Sequence, residues 1–570
     1  MKKIIVILVV CLTLAGCSVE APKENSSNTY SQKVKGYIGE FTVDVVINDG
    51  VIEAVNVGEN SETPEFGGKA IEKLSELFVR EQVANVDIHS GATVTSEALV
   101  EAVTNAITEA GLNIEDYTKN DDVSKVKKEN EEVDVLVVGA GLAGLMTAYE
   151  LKAIDENITV TVVEKLPVIG GSSVYTSGAI FTTNSSIHKE TNAVTSTSQE
   201  LVTWIEEITK EDMNDEVINA VYGIADETIQ VLMDKGAKFT GKVGVTTPLY
   251  PNLTNLRFED GGAGLLSFLE NLVETNPIDL RLETEVVSLL QDNGTVVGAS
   301  VEDTEGTYNI NADVVVLATG GIGSNKELME KYAPEYASGF MFTNGGAKGD
   351  GILLTETLNA NVLGYGTMGA LVASDKKALY PSTFYVNSSG ERFMNEKHPG
   401  PITQRMVAEQ EGQIAYAIAD SSSEDLSAYE KAVTNNTASK YETIEELAKG
   451  INVDVTTLTN EINGYNEAIS NDTEIEFALA NAAAMPILKA PFYAQKAHIR
   501  VNGTFVGLEI NDQTQVINAS GNVINGLLAC GELVVGNAYS RLTPGGGYGL
   551  AFAANSGRLT AEVASTLVVK

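Results

Sequence analysis

Near the front of the chain, the stretches GEFTVDVVIN (Gly39 to Asn48) and VIEAVNV (Val51 to Val57) alternate apolar with polar residues. Alternation with period two predicts strands with one buried face. Asp49-Gly50 between them is a tight-turn pair, so Tyr37 to Val57 reads as a hairpin. Apolar residues then recur at helical spacing over Gly68 to Gln82 and Ser96 to Ala110, predicting two amphipathic helices. Glu115 to Glu132, EDYTKNDDVSKVKKENEE, is charged throughout and predicts a linker. Beyond it the pattern changes: Val135 to Val138 and Val314 to Leu317 are unbroken apolar runs, Val160 to Val163 is apolar but for Thr161, and the first is followed by an apolar helix reaching Leu151. Runs of this kind predict strands covered on both faces, as in an α/β layer structure.

The loop between the first such strand and its helix carries Gly139, Gly141 and Gly144 at G-x-G-x-x-G spacing. Gly139 permits the tight turn, Gly141 lets backbone approach a pyrophosphate, and Gly144 lets the helix lie close to the strand. The helix N-terminus then offers free N–H groups and a positive dipole end to a diphosphate. Glu164 closes the second strand about twenty residues beyond the last glycine, where a carboxylate accepts a ribose hydroxyl. NAD and FAD share this fingerprint, so the spacing alone predicts a dinucleotide.

At 570 residues the chain has room for three or four domains, and its formal net charge of −40 argues against nucleic acid as a partner. Lys2 and Lys3 precede the apolar run Ile4 to Ala15, which has the shape of a secretory signal. Leu14-Ala15-Gly16-Cys17 resembles a bacterial lipoprotein processing site. That implies cleavage before Cys17, a lipid anchor on its sulfur and a place on the extracytoplasmic face of the cell membrane; an ordinary signal peptide is the alternative. Ser18 to Ser31 reads as a polar tether. Cys11, Cys17 and Cys530 are the only cysteines, so no disulfide framework is expected, and no C-x-x-C-H is present for an attached haem. No metal site is expected.

Four further motifs follow in order: Gly170-Gly171-Ser172-Ser173 leading to Ser177-Gly178-Ala179, VVVLATGGIG at Val314 to Gly323, Gly349-Asp350-Gly351, and ACGE at Ala529 to Glu532. Together with the glycine fingerprint, this ordered set resembles the fumarate reductase and flavocytochrome c family of FAD-dependent reductases over about Asp134 to Lys570. The resemblance implies noncovalent FAD, held by Gly170, Gly171, Ser172, Ser177 and Gly178 on one side. Ala318, Thr319, Gly320, Asp350 and Glu532 would hold it on the other. It also implies a capping domain inserted at about Gly366 to Arg500.

Within that insertion, Gly390-Glu391-Arg392-Phe393-Met394-Asn395-Glu396 matches the family's G-x-R-F-x-N-E landmark. An Arg following the landmark is the family's proton donor, which after the insertion KHPGPIT carries over to Arg405. Tyr539 to Gly547, YSRLTPGGG, resembles the segment in which an Arg binds the substrate carboxylate, here Arg541, with Gly547 and Tyr548 beside the flavin ring. Two departures bear on the substrate. Asn502-Gly503-Thr504 stands where fumarate reductases carry His, making Asn502 and Thr504 substrate-side residues, and the family's H-P-T has no counterpart between Gly364 and Leu371. Loss of both imidazoles predicts a pocket for one carboxylate. His398, His498, Tyr380 and Tyr385 stay unassigned.

Asp87-Ile88-His89-Ser90-Gly91-Ala92-Thr93 resembles the flavinylation site of FMN-binding domains, a likeness covering about Ser31 to Leu112. It implies FMN esterified through its phosphate to Thr93 by a separate flavin transferase; read from the residues alone, SGATVTS also serves as a helix cap.

The expected organisation is thus an α/β and α+β multidomain chain: signal 1–16, tether 17–31, an α+β FMN-binding domain 32–114, linker 115–132, a Rossmann-like FAD domain 133–365 and 501–570, and an α+β capping domain 366–500. The expected activity is reduction of the C=C bond of an α,β-unsaturated carboxylate in anaerobic respiration, a monocarboxylic enoate being favoured over fumarate. Electrons would come from a membrane donor, a quinol or flavoprotein relay, through FMN to FAD. A flavin dehydrogenase of ketosteroid-like substrates and a non-enzymatic electron-transfer flavoprotein are the alternatives.

Overall fold

The computed structural model describes residues 28–36, 39–62, 67–84, 86, 93–118, 126–209, 214–245, 252–276, 278–364, 366–373, 384–398, 400–423, 426–478, 484–539, 543 and 545–569. The chain divides into two compact units, one ending at Asp122 and the other beginning at Val123.

In the first unit the strands Thr29–Lys35, Glu40–Asn48 and Val51–Val57 form an antiparallel sheet in that order. Phe41, Val43, Val45 and Ile47 point inward at every second position, against the helices Lys69–Glu81 and Thr93–Glu109. Leu74 and Phe78, four residues apart, deliver one helix to this core, and Leu99, Ala102, Val103 and Ala106 deliver the other. Two differences from expectation stand out. Thr29, Tyr30 and Ser31, assigned to the tether, already pair with Val46, Val45 and Asp44. The segment read as linker begins with a 3₁₀ turn, Ile114–Tyr117, whose Tyr117 is buried and donates its hydroxyl to the Gly50 carbonyl at 2.5 Å.

The second unit is built on a sheet whose central strand pair is Glu131–Val138 and Gly306–Leu317, parallel, with Val135 opposite Val314 and Val138 opposite Leu317. Val160–Val163 flanks the first of these, and Val523–Ala529 flanks the C-terminal end of the second. Glu131 and Glu132, read as linker, are thus the start of a central strand, and Val126–Lys127 also joins this sheet. Helix Leu142–Ile154 is buried almost throughout because the long helix Tyr548–Leu567 covers its other side. Thr147 donates to the Gly557 carbonyl at 2.9 Å, and the buried Arg558 is ion-paired to Glu150 at 2.8 Å.

A second sheet is organised around the strand Phe492–Thr504, which pairs with Thr367–Val372, Ala415–Asp420, Ser439–Tyr441 and Phe340–Met341. The strand runs through Arg500 and Val501 without a break, so the capping boundary expected there falls inside one element. Among the described residues, no helix is long and apolar enough to cross a membrane.

Candidate active site

A cavity of about 560 Å³ in the larger unit is lined from both of the sheets described above. One end is formed by the loop after the first central strand. Gly139 has φ +109°, and a Cβ there would meet the Ala318 carbonyl at 2.5 Å. A Cβ on Gly144 would come within 2.0 Å of the Gly139 carbonyl, so its absence sets how closely helix and turn approach. Gly141 is different: it precedes the helix Leu142–Ile154 in extended conformation, lines the cavity, and would place a Cβ in open space. The open side of Gly141 and the helix N-terminus behind it make a concave surface of N–H groups suited to a diphosphate.

Glu164 stands beside this loop, in the cavity wall. Its two carboxylate oxygens accept the N–H groups of Ala140 and Leu166, each at 2.9 Å, so carboxylate and glycine loop hold each other in place. Burial raises its pKa above the usual carboxylate range, against the pull of those two N–H donors. Lys165 next to it is ion-paired with Asp350 at 2.5 Å, and both face the cavity.

Gly171, Ser172, Ser177 and the run Ala318, Thr319, Gly320 continue the wall. Ser172 accepts the Asn344 N–H at 3.2 Å, and Thr319 accepts that of Gly351 at 3.1 Å, tying the wall to the Gly349-Asp350-Gly351 turn. Gly170 and Gly178 are not lining residues. Gly170 donates its N–H to the Ala140 carbonyl, and Gly178 packs where its Cβ would lie 2.6 Å from Gly261. Glu532 lines the cavity and accepts the Thr504 N–H at 2.8 Å and its hydroxyl at 3.3 Å. Burial pushes its pKa up to about 7 although both donors favour the charged form.

These residues fit FAD. The glycine cradle, the helix N-terminus, a carboxylate at ribose distance in sequence and a cavity lined from the first central strand through to the second sheet meet the demands of an adenine dinucleotide.

The far end belongs to the second sheet. Met368, Gly369 and Ala370 from one strand, Arg500 and Asn502 from its antiparallel neighbour, and Gly400 and Pro401 at the start of helix Gly400–Ala408 close it. Gly545, Gly546 and Gly547 line the wall between the two ends.

Three assignments need correction. Arg405 does not line the cavity; it is partly exposed and ion-paired at 2.7 Å with Glu409, one helical turn further from Pro401. Thr504 is fully buried behind the wall, where its hydroxyl accepts the Ile322 N–H at 3.1 Å while donating to Glu532, so it holds a cavity residue rather than facing the cavity. Tyr548 is also buried, its ring stacked on Phe181 at 4.5 Å and edge-on to Tyr222 at 6.2 Å. The helix that begins at Tyr548 sends this ring into the core while Gly549 and Leu550 face the cavity.

Arg541 and Tyr380 lie outside the described residues, as does the Asp87 to Ala92 run. Thr93 is the first residue of helix Thr93–Glu109. His398, His498 and Tyr385 do not line the cavity. Arg500, Lys165 and Phe342 were missed in sequence. The signal for Arg500 was present: it stands two residues before Asn502 in an alternating strand, hence on the same face.

A family described as an FAD binding domain matches residues 134–550, and one described as an FMN-binding domain matches residues 36–108. A urocanate reductase of Eggerthella lenta is 28% identical over 566 residues, covering 91% of both chains. An NADH:acrylate oxidoreductase of Vibrio harveyi is 29% identical over 96% of this chain, which spans 62% of that relative's length. Among solved structures, the open conformation of a flavocytochrome c3 fumarate reductase superposes with a TM-score of 0.60 at 26% identity, over 77% of this chain and 79% of the other. With its glycine cradle, its acidic partner and the wall beyond them, the chain belongs to the FAD-binding domain family, carries an FMN-binding domain ahead of it, and is a flavin-dependent oxidoreductase.

Proposed function

We propose that this oxidoreductase saturates the carbon–carbon double bond of an α,β-unsaturated carboxylate bearing one carboxyl group. The observation that carries the reading is the cavity whose lining runs from the glycine cradle to Met368, Ala370 and Asn502 of a second sheet, so that one site brings the dinucleotide cradle and a separate wall of side chains together. Bound FAD would supply the hydride for one carbon of that bond, and a proton drawn ultimately from solvent would add to the other. The chain's own residues bind, orient and enclose. Met368, Ala370 and Pro401 present apolar surface that keeps water from the reacting carbons. Arg541 lies in the segment that also supplies the lining glycines Gly545 to Gly547, and its planar fork suits a carboxylate through two parallel hydrogen bonds.

The preference for one carboxyl group follows from the absence of imidazole among the described lining residues and from the two relatives named for urocanate and acrylate, acids with a single carboxylate. In this reading the protein is exported and anchored through lipid on Cys17, and a flavin transferase attaches FMN to Thr93. Electrons from a membrane quinol or flavoprotein pass through that FMN during anaerobic respiration. Anaerobic rapid mixing tests the reaction itself: the flavin absorbance of pre-reduced enzyme should return on addition of acrylate, cinnamate or urocanate. Persistence of the reduced spectrum with all three would overturn it.

A further inference from the structure

We infer that Arg500 is a carboxylate-binding residue of the substrate end in addition to Arg541, a step that rests on the enoate reading of the cavity. Arg500 and Asn502 lie two apart in the strand Phe492–Thr504, and both line the cavity beside Ala370, which pairs with Arg500 across the sheet. The guanidinium carbon sits 5.4 Å from the ring centre of Phe342, another lining residue, so a planar cation is laid on an aromatic shelf at the wall.

The backbone beneath Arg500 is fixed. Buried Gln404 donates its amide nitrogen to the Arg500 carbonyl at 2.9 Å. A Cβ on Gly369 would meet that same carbonyl at 1.9 Å and the Gln404 amide nitrogen at 2.5 Å, so this corner closes only around glycine. Helix Gly400–Ala408 starts with Gly400 and Pro401 in the same wall, adding the positive end of its dipole. Lys165, the other cation among the described lining residues, stands next to Glu164 at the dinucleotide end, in its ion pair with Asp350. Among the described residues, the positive character of the substrate end therefore comes from Arg500 and the helix terminus. A guanidinium there pairs with a carboxylate bidentately and gains far less from a neutral amide of the same shape.

The test uses the FAD-loaded full-length protein and its Arg500→Gln and Arg500→Lys variants. The probes are acrylate, trans-cinnamate and urocanate, each paired with its primary amide. Affinity is read from perturbation of the oxidised flavin's absorbance, and turnover from reduced-viologen oxidation. Wild type should favour acid over amide. Arg500→Gln should weaken acid binding by about 10- to 100-fold while changing amide binding less than about 2-fold, with Arg500→Lys between them because an ammonium keeps charge but not the fork. If Arg500→Gln holds less FAD than wild type, the acid-to-amide ratio of Arg500→Lys is the deciding quantity, and it should still fall. Wild-type reduction of the acids with an unchanged ratio in the variants would overturn the role of Arg500 alone. Wild-type inactivity toward all three acids would overturn the enoate reading together with it.

Discussion

Arg405 donates its Nε proton to Glu409 at 2.7 Å, one helical turn further on, at a partly exposed position. A pair of this kind contributes only about 0.3–0.5 kcal/mol. Arg405→Ala should therefore leave kcat and KM within about 2-fold of wild type, since nothing at the reacting end depends on an ion pair of that strength. A selective collapse of kcat, with substrate affinity retained, would return Arg405 to the role of acid.

The glycine loop separates two effects that are usually confounded. Gly144→Ala drives a Cβ into the Gly139 carbonyl and should lower Tm by about 1–3 °C. The Cβ of Gly141→Ala meets nothing in the protein, so Tm of the FAD-free chain should hold while FAD content after purification drops. Equal FAD content in Gly141→Ala and wild type would mean that the diphosphate does not approach this backbone.

These two glycines also show how much was legible. Val135 to Val138 announced itself because a strand buried on both faces leaves an unbroken apolar run, and the glycine spacing then had one reading. Thr29–Lys35 did not, because it pairs at the sheet's edge with mostly polar, exposed side chains. The boundary expected at Arg500 falls within Phe492–Thr504, a continuous strand that takes part in the second sheet and, through Thr504, holds Glu532. Arg405 was chosen by counting from a landmark across the KHPGPIT insertion. In three dimensions that insertion is taken up by the start of helix Gly400–Ala408, which brings Gly400 and Pro401 to the wall and leaves Arg405 off it.

Glu532 sets a pH dependence whose sign can be worked out. Its pKa rises from an ordinary 4.5 to about 7 on folding, so the folded chain holds a proton that the unfolded chain releases between those values. The stabilisation is complete below about pH 4.5 and is lost as pH rises through about 7. FAD-free wild type should lose Tm over that window relative to Glu532→Gln, which carries no titrating group there. Parallel Tm curves for the two proteins would exclude a perturbed carboxyl at this position.

Flavin attachment is tested by denaturation. After co-expression with a flavin transferase, unfolded wild type should release FAD and retain about one FMN per chain by protein mass and in-gel fluorescence, following the single-threonine esterification. Thr93→Ala should retain none. It should also lose turnover with the membrane donor while keeping much of it with a small reductant. Covalent FMN persisting on Thr93→Ala would move the attachment site elsewhere.

The central claim is the substrate class, and the most direct measurement is a comparison of kcat/KM under reduced viologen for acrylate, cinnamates, urocanate, itaconate and fumarate. A monocarboxylic enoate should lead. Fumarate should trail it by far more than the roughly 10- to 200-fold expected from lost apolar contact alone, because no imidazole stands among the described lining residues to pair with its second carboxylate. A kcat/KM for fumarate equal to or above that of every monocarboxylate would contradict the account.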